Sequence, residues 1–521
     1  MPEWLNNPLT FLAAPAGIGK TSLLTAGVLP FVDGQPSRAS LLPVGELSGR
    51  GGNGFARTAG CPLAALRQHN PYSLALLRSW SGASAPARLA GVPIDDFVGE
   101  YAQYHPGVPI LAAIDHADDL FAGSPERQPF RRRFLEELAA ALQDQPMLRL
   151  LVVVRSDCLP RFAEALGEGV RFFLDPLKPA EALEAVSRPG YFAPDAASEL
   201  VGLLRTARIV TGPGRERLVI SDEVEPALLQ VVCARLWESL RDHADHATLR
   251  ELKRHRDVTV DAALAGYCSA AIAAVASMHE IPVDWLRTWL VDTFITEVGD
   301  LSTAPESQQA AAGMPPTMTR ALEDRYLLRA DRQSAAGPSG SGDRLYRLLS
   351  SRLVEPVRHS VILGSAPDDD SSASETIQLD PDAFLRSAER ARIMGDHDLA
   401  AKIATRVLNT VPLTDLRRHA EAHSLIGDLA YEQGHVEAAH ESYQTAMRLF
   451  QACSDQAAVG RLFAAVAQTL IDRGRLSEAL QALTAAINRT PDLTLQDELA
   501  DVMTRMAQQS AQAPPFRSDP A

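Results

Sequence analysis

A run of small residues near the start of the chain has the composition of a phosphate-binding loop. Residues 14–21 read Ala-Pro-Ala-Gly-Ile-Gly-Lys-Thr, which fits Ala or Gly, four residues of any type, and then Gly-Lys-Thr. The glycines let the backbone turn so that several N–H groups point at one anion. The lysine can reach the β- and γ-phosphates, and the threonine hydroxyl can ligate Mg²⁺. We therefore predict a site for ATP or ADP with Mg²⁺, formed by Ala16, Gly17, Ile18, Gly19, Lys20, Thr21 and Ser22.

Three acidic residues and one arginine follow apolar segments and could complete this site. Asp115 is a candidate Mg²⁺ ligand together with Thr21, directly or through water. Asp118 or Asp119 could orient the attacking water. Helix capping or a surface position remains an alternative for the acidic residues. Arg155 could contact the γ-phosphate, or it could pair with Asp157 instead.

Apolar segments alternate with helical patterns through residues 1–177. Short apolar runs predict buried strands at 9–13, 39–44, 109–115, 148–154 and 171–175. A helical pattern follows the phosphate loop at 21–29, and another covers 130–142. The alternation predicts a parallel three-layer α/β domain that binds its ligand at the carboxyl ends of the strands.

Composition indicates a soluble multidomain protein. A chain of 521 residues with 46% hydrophobic and 22% charged residues predicts two to four globular domains. The net charge of −15 argues against a general nucleic-acid or membrane-surface binder. The five cysteines are scattered and predict reduced thiols. We see no signal peptide and no apolar run near the ~20 residues that span a bilayer, so we expect a cytoplasmic protein.

The remaining chain divides into further predicted units. Residues 178–280 have a helical pattern throughout and predict a helical lid. Residues 281–363 have a helix–helix–hairpin order that suggests a winged helix. The run 337–343 looks like a second phosphate loop, but Asp343 stands where the lysine is needed, so we interpret the run as the flexible tip of the hairpin. An acidic, serine-rich linker is predicted at 364–380, helical repeats at 381–510, and a disordered tail at 511–521.

The C-terminal region contains an internal repeat. Gly395, Gly434 and Gly474 each follow a helical segment, and small or apolar residues recur at fixed distances after them. The pattern resembles tetratricopeptide repeats, although spacings of 39 and 40 residues exceed the usual ~34 and imply longer helices. We expect three helical hairpins and a capping helix at 495–508, with a face that binds a protein partner.

The motifs together resemble the STAND NTPases, most closely their bacterial branch. The similar stretches are Gly-Ile-Gly-Lys-Thr-Ser-Leu-Leu-Thr-Ala-Gly-Val-Leu-Pro at 17–30, Ile-Asp-His-Ala-Asp-Asp-Leu-Phe at 114–121, Val-Arg-Ser-Asp at 154–157 and Glu-Pro-Ala-Leu-Leu at 225–229. The resemblance covers about residues 9–360. It implies an NTPase core, a helical lid, a winged helix that holds ADP in the resting state, and a C-terminal sensor. It also implies that ATP exchange opens the switch and drives assembly of a homo-oligomer.

The chain departs from this family pattern in two places. Only about eight residues precede Leu9, where family members usually carry a base-holding segment and an effector domain, so the effector is expected on a separate protein or before a truncated start. Ser350 and Ser351 stand where the family usually has a histidine and an acid that contact ADP.

The leading functional prediction is an ATP-binding, slowly hydrolysing signalling switch, and two alternatives remain. The first is a transcription regulator that reads DNA with basic residues near the second helix of the winged helix. These residues are Arg320, Arg325, Arg329 and Arg332. The second is a nucleotide-binding scaffold without hydrolysis. A membrane partner is not expected, and nucleic acid is the less favoured partner.

Overall fold

The computed structural model describes residues 2–33, 39–48, 62–66, 68–81, 86–121, 124–212, 215–240, 248, 259–306, 314–332, 344–359 and 381–489. The predicted tip at 337–343, linker at 364–380, capping helix at 495–508 and tail at 511–521 lie outside these residues.

A parallel sheet forms the centre of the first domain. Its strands are β1 Leu9–Ala14, β2 Ser40–Leu41, β3 Gly45–Glu46, β4 Ile110–Asp115, β5 Leu148–Arg155 and β6 Val170–Phe173. The strand order is β2–β4–β5–β1–β6, with β3 also paired to β4. Every residue of β1 and β4 is buried, as expected for a sheet covered on both faces. This confirms the predicted parallel α/β fold.

The sheet order decides which side chains meet at its carboxyl edge. β5 pairs with β1 on one side and with β4 on the other. Ala14, the last residue of β1, lies opposite Arg155. The phosphate loop, Arg155 and Asp115 therefore follow three neighbouring strand ends.

Helices cover both faces of this sheet. They are α1 Pro2–Asn6, α2 Lys20–Ser22, α3 Leu29–Asp33, α4 Pro71–Ser81, α5 Pro86–Leu89, α6 Ile94–Tyr104, α7 Gln128–Asp144 and α8 Leu159–Leu166. A π-helical segment, Leu23–Val28, joins α2 to α3, and short 3-10 turns lie at Leu63–Ala65, Ala117–Phe121 and Pro125–Arg127. Two hydrophobic cores result. One contains Phe11 and Phe134, and the other contains Trp4 and Leu24 on the opposite face.

Residues 178–280 are called the lid region here, after the sequence prediction; apart from turns, their described parts are helical except for one hairpin. Its helices are α9 Pro179–Ser187, α10 Pro194–Arg205, α11 Pro226–Leu240 and α12 Val260–Met278. Strands β7 Thr206–Gly212 and β8 Arg215–Ile220 pair antiparallel between α10 and α11. The prediction of a helical pattern throughout was wrong here. The sequence Gly-Pro-Gly at 212–214 lies between two segments that contain β-branched residues and alternate between polar and apolar side chains, a pattern that favours a hairpin.

Among the described residues, one helix, Val260–Met278, is long and apolar enough to cross a membrane by length and composition. No such segment was expected from the sequence, where no apolar run near ~20 residues was recognised. Its side chains at Leu264, Cys268 and Ile272 are buried in a protein core. We therefore interpret it as a core helix, which has the same composition.

The next segment, residues 281–359, contains helices and a small sheet and is called the hairpin unit here. Its helices are α13 Val283–Phe294, α14 Pro316–Asp324 and α15 Val354–His359. Its strands β9 Ala304–Pro305, β10 Leu328–Arg332 and β11 Arg344–Leu348 form an antiparallel sheet in the order β10–β11–β9. One hydrophobic core runs from Ala182 to Val357, so the hairpin unit and the lid region pack as one body.

The C-terminal helices form antiparallel pairs and are called the array. They are α16 Pro381–Met394, α17 His397–Thr410, α18 Leu416–Glu432, α19 Val436–Ala452, α20 Gln456–Asp472 and α21 Leu476–Arg489. Gly395, Gly434 and Gly474 occupy the turns, with φ of 82°, 76° and 72°. The alanines five residues after them are fully buried between paired helices. A left-handed turn residue at each pair explains why glycine recurs.

The array packs against the α/β domain. Ile393 belongs to the same core as strands β1, β4 and β5, and Ala64 of the α/β domain belongs to the core of the array. The backbone N–H of Leu63 donates to Asp428 at 2.7 Å, and the N–H of Ser124 donates to the carbonyl of Met394 at 2.8 Å. The contact therefore combines apolar burial with buried hydrogen bonds.

Candidate functional site

The phosphate loop leaves β1 and turns into α2 through two left-handed glycines. Gly17 has φ of 80° and Gly19 has φ of 96°, conformations that residues with a Cβ rarely adopt. The Lys20 Nζ folds over the loop and donates to the carbonyl oxygens of Ala14 at 2.9 Å and Pro15 at 3.0 Å. The loop thus has the conformation that directs backbone N–H groups toward an anion at a helix start.

Gly17 also permits two other parts of the chain to approach the loop. A Cβ at this position would lie 3.2 Å from the ring of Tyr326 and 3.4 Å from the Cβ of Ala227. The backbone N–H of Ala227 donates to the carbonyl of Gly17 at 3.2 Å. The start of lid helix α11 and the hairpin unit therefore both contact the phosphate loop.

A cavity of about 600 Å³ opens above the loop, and three parts of the chain line it. The α/β domain supplies the whole loop from Ala16 to Ser22, and the lid supplies Pro226 and Gln230. The hairpin unit supplies Asp324 and Tyr326. This volume lies within the range of small-molecule sites, ~300–1,000 Å³. A ligand in it would touch all three parts at once.

The two predicted Mg²⁺ ligands face each other across a histidine that the sequence analysis did not consider. The His116 Nε2 lies 3.3 Å from the Thr21 Oγ1 and 3.7 Å from the Asp115 Oδ2. Asp115 is buried, and its Oδ1 accepts from the backbone N–H of His116 at 2.8 Å. His116 has a left-handed φ of 49°.

Hard oxygen donors at Thr21 and Asp115 fit Mg²⁺, which proteins commonly bind through one or two side chains plus nucleotide phosphates and water. Among the described residues, no group of three or more His, Cys, Asp or Glu side chains could hold a metal ion.

Arg155 lies at the centre of a buried acidic cluster. Its guanidinium donates to Asp157 at 2.9 and 3.1 Å and to Glu323 at 2.5 Å, and its Nε lies 3.6 Å from Asp118. Arg344 of strand β11 adds a second guanidinium, 3.0 Å from Asp157 and 3.4 Å from Glu323. The pairing with Asp157, which the sequence left open, is thus present in the structure.

Burial and charge act in opposite directions within this Arg155 cluster. Burial alone lowers the pKa of Arg155, but Glu323, Asp157 and Asp118 raise it well above its ordinary value. Burial raises the pKa of Glu323, and Arg155 only partly offsets that effect. The guanidinium therefore stays charged, and the hairpin unit is tied to the end of β5 through Glu323.

The neighbouring carboxylates Asp118 and Asp119 point to different places. Asp118 lines the cavity beside Arg155. Asp119 accepts a hydrogen bond from Ser48 and pairs with Arg390 of array helix α16 at 3.2 Å. Arg390 also pairs with Asp324 of the hairpin unit at 2.7 Å. One arginine of the array thus bridges a residue beside β4 and a residue of the nucleotide-sized cavity.

Ser350 and Ser351 are not among the residues that line this cavity. The Ser350 hydroxyl accepts from the backbone N–H of Arg352 at 3.2 Å and caps the 3-10 turn Ser351–Leu353. The hairpin unit instead reaches the cavity through the end of α14 and the loop after it.

The arginines considered for DNA binding make internal contacts. Arg329 is buried and pairs with Glu225 at 3.0 Å. Arg320 and Arg325 line a second cavity between α14 and the array. The side chain of Arg332 lies outside the described residues. The helix that would enter a DNA groove faces the array across this cavity, and its last residue, Asp324, pairs with Arg390 of the array.

A sequence model described as "Novel STAND NTPase 1" matches residues 3–336. The chain belongs to the STAND NTPases. None of the curated proteins matches it significantly. Similar solved structures include the Aeropyrum pernix ORC2 protein in ADPNP–ADP complexes, with 15% identity, a TM-score of 0.32, and coverage of 68% of this chain and 87% of that chain. Another is a Pyrococcus horikoshii STAND protein with a tetratricopeptide repeat sensor, with 12% identity, a TM-score of 0.26, and coverage of 96% and 72%.

Both TM-scores lie below 0.5, so neither solved structure supports an argument about this STAND NTPase. The family assignment depends on the match to the sequence model alone. That match confirms the family and the nucleotide-binding class that the motifs predicted. The site roles of individual residues remain predictions. Sequence reasoning missed His116, Glu323 and Tyr326. His116 follows the strand-end carboxylate directly and could have been noticed, whereas the other two reach the site only through tertiary packing.

Proposed function

We propose that this STAND NTPase is a nucleotide-dependent switch in which ATP or ADP binds in the cavity above the phosphate loop. Ala16 to Ser22 would hold the phosphates, Lys20 would neutralise their charge, and Thr21 with Asp115 would hold Mg²⁺. His116, which lies 3.3 Å from the Thr21 Oγ1, would have to release that hydroxyl for Thr21 to bind a metal. Asp118 would orient the attacking water, and Arg155 would balance charge near the γ-phosphate.

The observation that carries this proposal is the double pairing of Arg390. The guanidinium bridges Asp119, four residues after Asp115, and Asp324, which lines the cavity. A nucleotide that displaces Asp324, or shifts the turn that holds Asp119, changes the contact between the array and the rest of the chain. The array is then the element that reports nucleotide state.

The unit division that fits this proposal is the one predicted from sequence. It comprises an NTPase domain (1–177), a lid (178–280), a winged-helix domain (281–363), a linker (364–380), tetratricopeptide-like repeats (381–510) and a tail (511–521). The repeats bind a protein partner, and release of the array permits assembly of several copies or contact with a separate effector protein. Slow hydrolysis resets the switch in the cytoplasm.

The two alternatives differ in support. DNA binding is disfavoured because Arg329 is paired with Glu225 and the end of α14 is tied to the array through the ion pair of Asp324 with Arg390. A scaffold without hydrolysis is favoured by one feature, the engagement of Arg155 by Asp157 and Glu323. In that scaffold, Arg155 holds the hairpin unit in place and never contacts phosphate.

The test is nucleotide-dependent stability. Mg-ATP at ~100 times its Kd should stabilise the protein by ~2.7 kcal/mol, seen as a higher melting temperature. Lys20→Ala should remove most of that rise, because the phosphates lose their cationic partner. Lys402→Ala is the matched control, since this exposed lysine lies on the array and outside the cavity. Retained stabilisation in Lys20→Ala, or none in the parent, would contradict the proposal.

A further inference from the structure

A second cavity, of about 570 Å³, lies at the junction of the array with the other parts of the chain. Its walls come from the end of α12, from α14, from array helices α16 and α17, and from Ser124 of the α/β domain. Asp324 alone lines both this junction cavity and the one above the phosphate loop. The junction cavity is therefore a separate space beside the nucleotide site.

The junction cavity has largely apolar walls. Met278, Ala391, Leu399 and Ile403 contribute them, and these side chains also belong to or pack against the cores of the array. A volume of this size suits a small organic molecule, and small-molecule sites are typically apolar with a few convergent polar groups. The walls thus favour a ligand with a substantial hydrocarbon or aromatic part.

Several polar atoms at this junction lack hydrogen-bond partners. The His279 Nε2, the Ser124 Oγ and the Arg390 Nε are buried without one. Buried polar atoms are normally satisfied, so three of them around one cavity indicate that a ligand or water completes their bonding.

Three arginines line the junction cavity, Arg320, Arg325 and Arg390, together with two carboxylates, Asp324 and Asp396. Both carboxylates are engaged, since Asp324 pairs with Arg390 and Asp396 accepts from the Leu399 N–H, so the balance of charge favours an anion. The Arg325 guanidinium donates to the carbonyl of Ala321 at 3.2 Å and forms no ion pair with a described residue. Burial, together with the smaller effects of the charges of Arg325 and Lys402, lowers the pKa of His279 to about 4. The imidazole is therefore neutral near pH 7 and lies in a positive environment.

We propose that the junction cavity binds an amphiphilic organic anion, whose charged group pairs with Arg325 and hydrogen-bonds to the neutral His279 imidazole, and whose apolar body lies against Met278 and Ile403. The site is built from both the array and the lid, so its ligand stabilises one arrangement of the two. A negative group near Arg390 would also compete with Asp119 and Asp324 for that guanidinium. This last consequence rests on the proposed function, whereas ligand binding does not.

The experiment uses two probes with closely related ring systems. 8-Anilinonaphthalene-1-sulfonate is an apolar anion, and N-phenyl-1-naphthylamine is its uncharged counterpart. Each is titrated into the full chain and followed by fluorescence. We expect saturable binding of one anionic probe per chain. Arg325→Met should weaken the anionic probe at least about tenfold, because a charge-assisted contact is lost, and should leave the neutral probe unchanged.

Two further variants and one control complete the design. Ser387→Trp, which fills the cavity from α16, should weaken both probes, and Arg448→Met, on the exposed face of α19, should weaken neither. Arg325→Lys keeps the charge and should bind the anionic probe within a few-fold of the parent, which guards against a folding defect in Arg325→Met. Melting curves verify that each variant is folded.

Three results would overturn the proposal. They are weak binding of many anionic probe molecules per chain, unchanged anionic binding in Arg325→Met, and equal loss of both probes in that variant. Lys20→Ala should bind the anionic probe as the parent does. A failed nucleotide test with an intact probe site, or the reverse, would therefore separate this proposal from the proposed function.

Discussion

Replacing Gly395 with alanine should loosen the array from the α/β domain. Gly395 has φ of 82°, and a Cβ there would lie 2.6 Å from the Ser124 Oγ and 3.0 Å from the Arg127 Cγ. The Ser124 hydroxyl can rotate away. Arg127 cannot move freely, because its buried guanidinium donates to the Arg392 carbonyl at 2.8 Å and pairs with Glu432 at 3.1 Å.

The array supplies two matched controls for this substitution. Gly434 and Gly474 occupy the same turn position with φ of 76° and 72°, and a Cβ on either would meet no atom within 4 Å. All three alanine variants therefore carry the left-handed backbone penalty of ~1–2 kcal/mol. Gly395→Ala alone adds crowding against Arg127, for which we expect a further ~1–3 kcal/mol.

This extra free energy destabilises the docked state of the array relative to the undocked state. A difference of ~1.4 kcal/mol shifts an equilibrium tenfold, so Gly395→Ala should increase the undocked fraction about five- to 150-fold over the controls. Small-angle X-ray scattering measures the change as a larger radius of gyration, and circular dichroism verifies that helix content is kept. Ser124→Ala in the Gly395→Ala background should not restore docking, because the Ser124 hydroxyl can already rotate away and the crowded group is the Arg127 side chain. If all three glycine variants have the same radius of gyration and the same melting temperature, Gly395 does not pack against Ser124 and Arg127 and the reasoning fails.

The remaining predictions concern single carboxylates and one histidine. Asp118→Asn should lower ATP turnover and leave ATP binding intact, whereas Asp119→Asn should loosen the array and change turnover less. Turnover assays and X-ray scattering measure the two effects. Equal effects of both substitutions would contradict the different orientations of the two carboxylates. His116→Ala should tighten Mg²⁺-dependent ATP binding, because Thr21 loses a competing partner; a titration with and without Mg²⁺ measures this. Burial raises the pKa of Asp428 from its ordinary value of 3.8 to about 7, so the docked state binds a proton near neutral pH; docking should therefore weaken by up to about tenfold per pH unit as pH rises toward 7, and the dependence should level off above 7. Scattering at pH 6 and 8 should show this dependence in the parent and lose it in Asp428→Asn.

The direction of this pH effect follows from the surroundings of Asp428. Its Oδ1 accepts from the Leu63 N–H at 2.7 Å and from the Tyr443 hydroxyl at 2.8 Å. After burial, Arg392 lowers its pKa, Glu389 raises it, and the two hydrogen bonds lower it. Burial outweighs the others, so the neutral carboxyl is the form that the docked array favours. Undocking removes the Leu63 contact and exposes the group, which then releases its proton near neutral pH.

The sequence was informative wherever function depends on local chain geometry. The phosphate loop needs glycine at left-handed positions and a strand and helix around it, so adjacent residues carry the whole signal. The array turns at Gly395, Gly434 and Gly474 are equally local, and their spacing predicted paired helices. The β7–β8 hairpin was missed because a short two-stranded element among helices has a weak periodic signal.

Contacts between distant segments could not be predicted in this way. Glu323 is an ordinary acidic residue on a short helix by sequence, yet it lies 2.5 Å from Arg155, 168 positions earlier. Arg390 has no motif, although it joins Asp119 to Asp324. Such pairs form only after the sheet edge, the hairpin unit and the array are assembled. The residues that neighbour a charged side chain in the sequence do not indicate which distant residue will pair with it.

The positions of these ion pairs suggest how one nucleotide could control a large rearrangement. The hairpin unit is held to the sheet edge through Glu323 and Arg155, and the array is held to the hairpin unit through Arg390 and Asp324. Glu323 and Asp324 are adjacent residues that both line the cavity. Removing one partner from a buried ion pair is costly, typically ~3–5 kcal/mol. A phosphate that attracts Arg155 away from Glu323 would leave that carboxylate with the longer contact to Arg344, at 3.4 Å, unless the end of α14 moves. Movement there displaces Asp324 from Arg390, and the array loses one of its links to the rest of the protein.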